Sequence, residues 1–213
     1  MLKIPSMQNS ILSDLNIDVP ILNIYPYGSH VYGTNTLLSD SDYVIVTKSL
    51  KLPSGGFKSN AISSDKCNIQ GILYSYSGFL NAIDTYDMTA LECIFLPEDK
   101  IIQKTKDFPI RKWIEKEMVD SVIKKASNSF YIADQQSKND QKLQAKKGIF
   151  HSIRILMFGI QLRNNMKIVD YSEANSLFDK ISSISDSNFD TREFISLRDS
   201  LIKDLRGPEY FQN

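Results

Sequence analysis

The chain changes character at Pro109, and no other feature constrains its fold as tightly. Up to that proline, short runs rich in β-branched and aromatic residues alternate with Pro, Gly and Ser turn signals. Beyond it, apolar residues recur at helical spacing over about 110–135 and 141–165, with the polar stretch Gln135-Gln136-Ser137-Lys138-Asn139-Asp140 between them. Two shorter helices are expected near 172–181 and 191–205, the last stopped by Gly207-Pro208. The expectation is an α/β (α+β) fold, with a mixed-sheet core flanked by helices over residues 1–108 and a helical subdomain over 109–213.

Within the first half, Ile11, Leu12 and Leu15 after Ser10 predict a short helix over 8–16. Ile21-Leu22-Asn23-Ile24-Tyr25 predicts a strand that runs into the turn Pro26-Tyr27-Gly28-Ser29, and Tyr43-Val44-Ile45-Val46 predicts the next strand. Residues 49–65, rich in Ser, Gly, Lys and Asn around Pro53-Ser54-Gly55-Gly56, read as a mobile loop or a hairpin. A third strand is expected over 67–74, then a helix holding Phe79, Leu80 and Ile83 and capped by Ser75 or Ser77. The apolar segment Leu91–Leu96 ends at Pro97. Trp113 reads as a core residue.

With 42% hydrophobic residues and no apolar run of membrane-spanning length, the chain reads as an ordinary globular protein without a membrane partner. Its start, Met1-Leu2-Lys3-Ile4-Pro5-Ser6-Met7, lacks the apolar run of a signal peptide, so a cytoplasmic location is expected. Cys67 and Cys93 suggest neither a disulfide framework nor a zinc site. The 25 basic and 25 acidic side chains are unevenly spread. Residues 1–99 carry 5 Lys/Arg against 10 Asp/Glu, residues 100–167 carry 15 against 6, and residues 168–213 carry 5 against 9. A basic middle can line a channel for phosphates or form a solvated helix face.

The stretch that carries chemistry runs Gly28-Ser29-His30-Val31-Tyr32-Gly33-Thr34, then Asn35-Thr36-Leu37-Leu38, then Ser39-Asp40-Ser41-Asp42-Tyr43-Val44-Ile45-Val46. Glycine and serine after a strand let the backbone approach a phosphate and offer N–H and hydroxyl donors at a helix start. Residues i and i+2 of a strand face one side, so Asp40 and Asp42 are expected to project into one cleft. Two like charges held that close make sense with a divalent cation between them, and magnesium or manganese is the natural ion. The competing reading of Ser39-Asp40-Ser41-Asp42 is a turn with Asx chemistry. Tyr25, Tyr27 and Tyr32 surround the glycine-serine turn, where they either stack on a base or pack at strand ends.

This pattern resembles the nucleotidyltransferases of the DNA polymerase beta superfamily, whose signature is a strand, Gly-Ser, a short helix and Asp-x-Asp on the next strand. The wording Gly-Ser-x-x-Tyr-Gly-Thr-x-x-x-x-Ser-Asp-x-Asp-Tyr is most similar to the stand-alone nucleotidyltransferases of bacteria and phages. Met88-Thr89-Ala90-Leu91-Glu92-Cys93-Ile94-Phe95 and Lys146-Lys147-Gly148-Ile149-Phe150-His151-Ser152-Ile153-Arg154 are similar to two later helices of that subgroup. The resemblance covers roughly residues 20–170 and implies transfer of a nucleoside monophosphate from a nucleoside triphosphate to an acceptor hydroxyl or phosphate, with two magnesium ions.

It also implies roles for particular residues. Gly28 and Ser29, with Tyr32, Gly33, Thr34 and Ser39 beside them, are expected on the triphosphate, and Asp40 and Asp42 on the metals. A third carboxylate is expected from the next central strand, where this sequence has Gln70 or Asn68; Asp65 and Glu92 are the substitutes nearest in sequence. Lys147, His151 and Arg154 share a helix face: either Arg154 or Lys147 reaches the triphosphate, or His151 and Arg154 bond to backbone carbonyls or a carboxylate such as Glu92 and tie the helical half to the sheet half. The missing carboxylate keeps a second expectation alive, a catalytically degenerate module that binds a nucleotide or a partner. The acceptor is open between RNA, a protein side chain and a small molecule.

Overall fold

The computed structural model describes residues 19–37, 39–48, 60–64 and 68–208. The helix expected over 8–16 lies outside them. The fold is mixed α+β, and the described residues divide into two compact units, one of residues up to Asp84 with Thr89–Arg111 and one of Thr85–Met88 with Lys112 onward.

The first unit is built on a five-stranded sheet of order β3-β4-β2-β1-β5. Its strands are β1 (Ile21–Tyr27), β2 (Ser41–Thr47), β3 (Asn60–Ser64), β4 (Ile69–Ser75) and β5 (Gln103–Lys104). The central pair, β2 and β4, runs parallel, and every other pairing is antiparallel. β3 falls inside the stretch expected as a loop or hairpin, and it pairs back on β4 as a hairpin arm. Between β1 and β2 the chain makes a single helical turn, α1 (Ser29–Tyr32). After β4 come α2 (Tyr76–Asp84) and α3 (Met88–Ile94).

Period-two alternation gives this sheet two apolar faces. Ile24, Tyr43, Ile45, Ile69 and Leu73 cluster on one. On the other, Phe79 from α2 stacks on Tyr25 and meets Tyr74 and Phe108 edge-on, with ring centroids 5.9, 5.4 and 4.9 Å away. Asn23 sits within this packing, completely buried and fully employed. Its Oδ1 accepts from the N–H groups of Thr105 and Lys106 at 3.1 and 3.0 Å, while its Nδ2 donates to the Lys106 carbonyl at 2.8 Å. One amide thus ties β1 to the chain leaving β5.

The second unit is helical: α4 (Glu115–Lys138), α5 (Lys142–Asn165), α6 (Asn175–Ser183) and α7 (Ile195–Arg206), the last preceded by a 3-10 turn, Thr191–Phe194. α4 and α5 form an antiparallel hairpin through Asp140, which takes the left-handed conformation at φ 61. Small residues set the closeness of the pair: Gly148 lies against Ala133, and Gly159 against Val122 and Leu205. Phe130, Ile149, Phe150, Ile153, Ile181 and Phe194 contribute to its core. Residues 85–88 join this unit rather than the sheet for a local reason. The Tyr86 hydroxyl donates to the Lys112 carbonyl at 3.1 Å and accepts from the Ile114 N–H at 2.6 Å, and Ser121 Oγ donates to the carbonyls of Thr85 and Tyr86. Trp113 packs edge-on against Tyr86 at 5.9 Å. Among the described residues no helix is long and apolar enough to cross a membrane.

Candidate functional site

Sheet register assembles one corner of the first unit. β1 and β2 pair so that Tyr27 lies opposite Asp42, and β2 and β4 pair so that Asp42 lies beside Gln70. In-register neighbours of a parallel pair point to the same face, and Asp40 lies one residue before β2. Gln70 Nε2 donates to Asp40 Oδ2 at 2.7 Å, so Gln70, the register partner of Asp42, also bonds Asp40. Asn68, the other residue weighed for the third-carboxylate position, has φ 52, and its carbonyl accepts the Ser41 N–H at 2.9 Å. Gln70, not Asn68, is thus the amide side chain that bonds Asp40.

The turn after β1 completes the corner. Gly28 has φ 72 and ψ −152, a region open to glycine alone. A Cβ built on it meets Asp42 Oδ2 at 2.2 Å, so the missing side chain is what lets the turn lie against the Asp42 carboxylate. Val31 and Tyr32 donate their N–H groups to the Gly28 carbonyl, and Gly33 and Thr34 donate theirs to the Ser29 carbonyl. Helical geometry leaves the N–H groups that precede Val31 outside this turn's own bonding. Gly33 closes it in the left-handed conformation at φ 80.

Beside the corner is a cavity of about 460 Å³, lined by Tyr27, Asp42, Tyr43, Ser63, Gln70, Gly71 and Ile72. That is within the range of small-molecule sites, roughly 300–1,000 Å³. Burial pushes the Tyr43 phenol above its ordinary pKa, which keeps it a neutral wall at physiological pH. Tyr27, weighed from the sequence as a stacking or packing residue, lines it, and so does Ser63, which the sequence did not single out. The Ser63–Gln70 pairing of β3 with β4 brings Ser63 there, and its serine-rich surroundings carry no signal of it.

Three expected members are held elsewhere. Tyr32, expected on the nucleotide, is 4% exposed, and its hydroxyl donates to Glu92 Oε2. Glu92, weighed as a metal ligand, is 1% exposed on α3 and anchors α1 through that bond. Among the described residues no three His, Cys, Asp or Glu side chains converge as a metal would require, so Glu92 does not join Asp40 and Asp42. Ser39 accepts the Thr36 N–H at 2.8 Å, so its hydroxyl serves the loop itself.

In the second unit, Lys147 is exposed, whereas Arg154 is 3% exposed. Arg154 donates to His151 Nδ1 at 2.8 Å, and its guanidinium lies 5.5 Å from the Phe158 ring centroid and 6.0 Å from that of Phe150. Desolvation first, then the Arg154 charge, lowers the His151 pKa from 6.5 to about 3, so the imidazole is a neutral acceptor. These contacts pair the buried guanidinium with the imidazole inside the helical unit.

The donor set of the corner suits a hard cation. The Asp40 and Asp42 carboxylates would offer the oxygen ligands magnesium takes, with phosphates and water completing its shell, while Gln70 turns its N–H edge to Asp40. No family model matches the chain, and no curated protein matches it. Among solved structures the chain is similar to a nucleotidyltransferase-like protein from Exiguobacterium sibiricum 255-15, with 12% identity and a TM-score of 0.35 over 94% of this chain and 73% of that one. At that identity and score the likeness is distant, and the residues of this chain carry the chemistry.

Proposed function

We propose that this chain is a nucleotidyltransferase-type protein that binds a nucleoside triphosphate with magnesium or manganese at the Gly28–Asp42 corner and passes the nucleoside monophosphate to an acceptor. The single observation that carries this reading is the approach of the Gly28 turn to the Asp42 carboxylate, at 2.2 Å from where a Cβ would sit. The Gly-only conformation is needed wherever backbone must lie this close to a carboxylate. A turn that presents N–H donors to a phosphate beside a cation-binding carboxylate has that need.

In this reading Gly28 and Ser29 bind and orient the phosphates, with Gly33 and Thr34 fixing the turn that presents them. Asp40 and Asp42 hold the cation, and Gln70 orients Asp40. A bound divalent cation supplies Lewis acidity and neutralises phosphate charge. The cavity beside Gln70 and Ser63 is the space for a reacting group. The acceptor is an RNA, a protein side chain or a small molecule, and a steep fall of binding with salt identifies RNA. A second reading, a nucleotide-binding module without transfer, is favoured by Gln70, which can neither carry charge nor take a proton.

Incubation with each α-labelled nucleoside triphosphate, magnesium or manganese, and pooled RNA or cell extract tests the proposal. Label is expected to move to an acceptor with the native protein and not with Asp40→Ala/Asp42→Ala. Equal transfer by both proteins sinks it; nucleotide binding without transfer selects the second reading.

A further inference from the structure

We infer that Gln70 limits this corner to one divalent cation, where the resemblance implies two. The inference rests on the reading of the corner as a cation and nucleotide site, and it assigns Gln70 a positioning role there. Three observations carry it. Register sets Gln70 beside Asp42 on the same face of adjoining parallel strands, so whatever stands at position 70 belongs to the ligand set. Its Nε2 donates to Asp40 Oδ2 at 2.7 Å, so the positive edge of an amide already faces one carboxylate where a cation would compete. No third acidic, histidine or cysteine side chain joins the two aspartates among the described residues.

The charge balance follows from these residues. Two carboxylates compensate one divalent cation. A second cation held by the protein as well as by the nucleotide's phosphates would have to share the same two carboxylates, since position 70 supplies a neutral group with a hydrogen-bond donor. The amide also bonds Asp40 directly, so the pair keeps its geometry without a third like charge nearby. Gln70→Glu has the same shape and reverses both properties. It replaces the donor with an acceptor against Asp40 and adds the charge a second cation requires. Gln70 is exposed, so this change leaves the sheet core untouched.

The experiment counts manganese ions per full-length chain by electron paramagnetic resonance, with the α,β-methylene analogues of ATP, CTP, GTP and UTP tested separately. Native, Gln70→Glu, Asp65→Ala and Asp40→Ala/Asp42→Ala proteins are compared, the last defining adventitious sites. The expected counts above that background are one for the native chain, two for Gln70→Glu and one for Asp65→Ala. Without manganese, Gln70→Glu is expected to melt a few degrees lower than native from carboxylate repulsion, and to recover when manganese is added. Two ions on the native chain, or one on Gln70→Glu, overturns the inference while leaving the cation site in place. Native and double-alanine proteins with the same count overturn the cation reading itself, so the two failures are told apart.

Discussion

Replacing Gly28 with alanine perturbs the corner in two ways that the structure lets one separate. At φ 72 and ψ −152 any side chain is strained, at a cost of about 1–3 kcal/mol. The new Cβ also falls 2.2 Å from Asp42 Oδ2, with Cγ and Cβ of Asp42 at 3.0 and 3.1 Å, so the carboxylate must retreat by about 1 Å to reach ordinary contact. Overpacking of that kind costs a further 1–3 kcal/mol or so. The sum, about 2–6 kcal/mol, is readable by urea unfolding. A displacement near 1 Å also predicts a loss of roughly 100-fold in transfer activity. Gly33→Ala, at an exposed left-handed position with φ 80, serves as the control for backbone strain, at about 1–2 kcal/mol. The double mutant Gly28→Ala/Asp42→Ala retains the strain and loses the collision, so a coupling of about 1–3 kcal/mol is expected in the cycle. Zero coupling, with Gly28→Ala no worse than Gly33→Ala, refutes the claim that the turn and the carboxylate press on each other.

Tyr32→Phe removes a hydroxyl that donates to buried Glu92, and should cost about 1.5–3 kcal/mol by chemical denaturation, with Glu92→Gln milder because a neutral amide tolerates the loss of charge assistance. Asn23→Leu strips partners from the backbone of Thr105 and Lys106, and a loss of about 2–4 kcal/mol is expected; a loss below 1 kcal/mol contradicts the role given to that amide. His151 has a folded pKa of about 3 against 6.5 unfolded, so the unfolded chain takes up a proton first as pH falls. Its contribution is complete above pH 6.5 and is lost progressively from there towards pH 3. Between pH 7.5 and 4.5 the native protein should therefore lose up to about 2–3 kcal/mol more than His151→Gln, and parallel stability curves count against a neutral buried histidine.

Elements with strong local signals were legible from the residues. Ile21–Tyr25 and Tyr43–Val46 are β-branched and aromatic runs between turn signals, and they became β1 and β2. The two long helices followed from periodicity, although α4 begins at Glu115, later than expected, because residues 112–114 are drawn into extended contacts with Tyr86. β5 was not legible, and β3 was legible only through the hairpin alternative for residues 49–65. Asn60–Ser64 has loop composition and Gln103–Lys104 is two residues long, so both owe their strand state to pairing with β4 and β1 rather than to propensity. The same distinction runs through the candidate site. Spacing alone put Asp40 and Asp42 on one face, but only register sets Gln70 and Ser63 beside them. The bond between Tyr32 and Glu92 links residues 60 apart, and nothing local in either segment announces it. Arg154 looked available in sequence because an arginine amid apolar residues needs a partner, and that partner proved to include a histidine one turn away on the same helix.

The central claim is that Asp40, Asp42 and the Gly28 turn form one cation-dependent nucleotide site. Equilibrium binding of the four nucleoside triphosphates, each measured with manganese and with chelator, on native and Asp40→Ala/Asp42→Ala proteins tests it most directly. Manganese-dependent binding of at least one nucleotide is predicted for the native chain, with a loss of 100-fold or more in the double mutant. Binding of equal strength in both proteins, or binding indifferent to manganese, contradicts it.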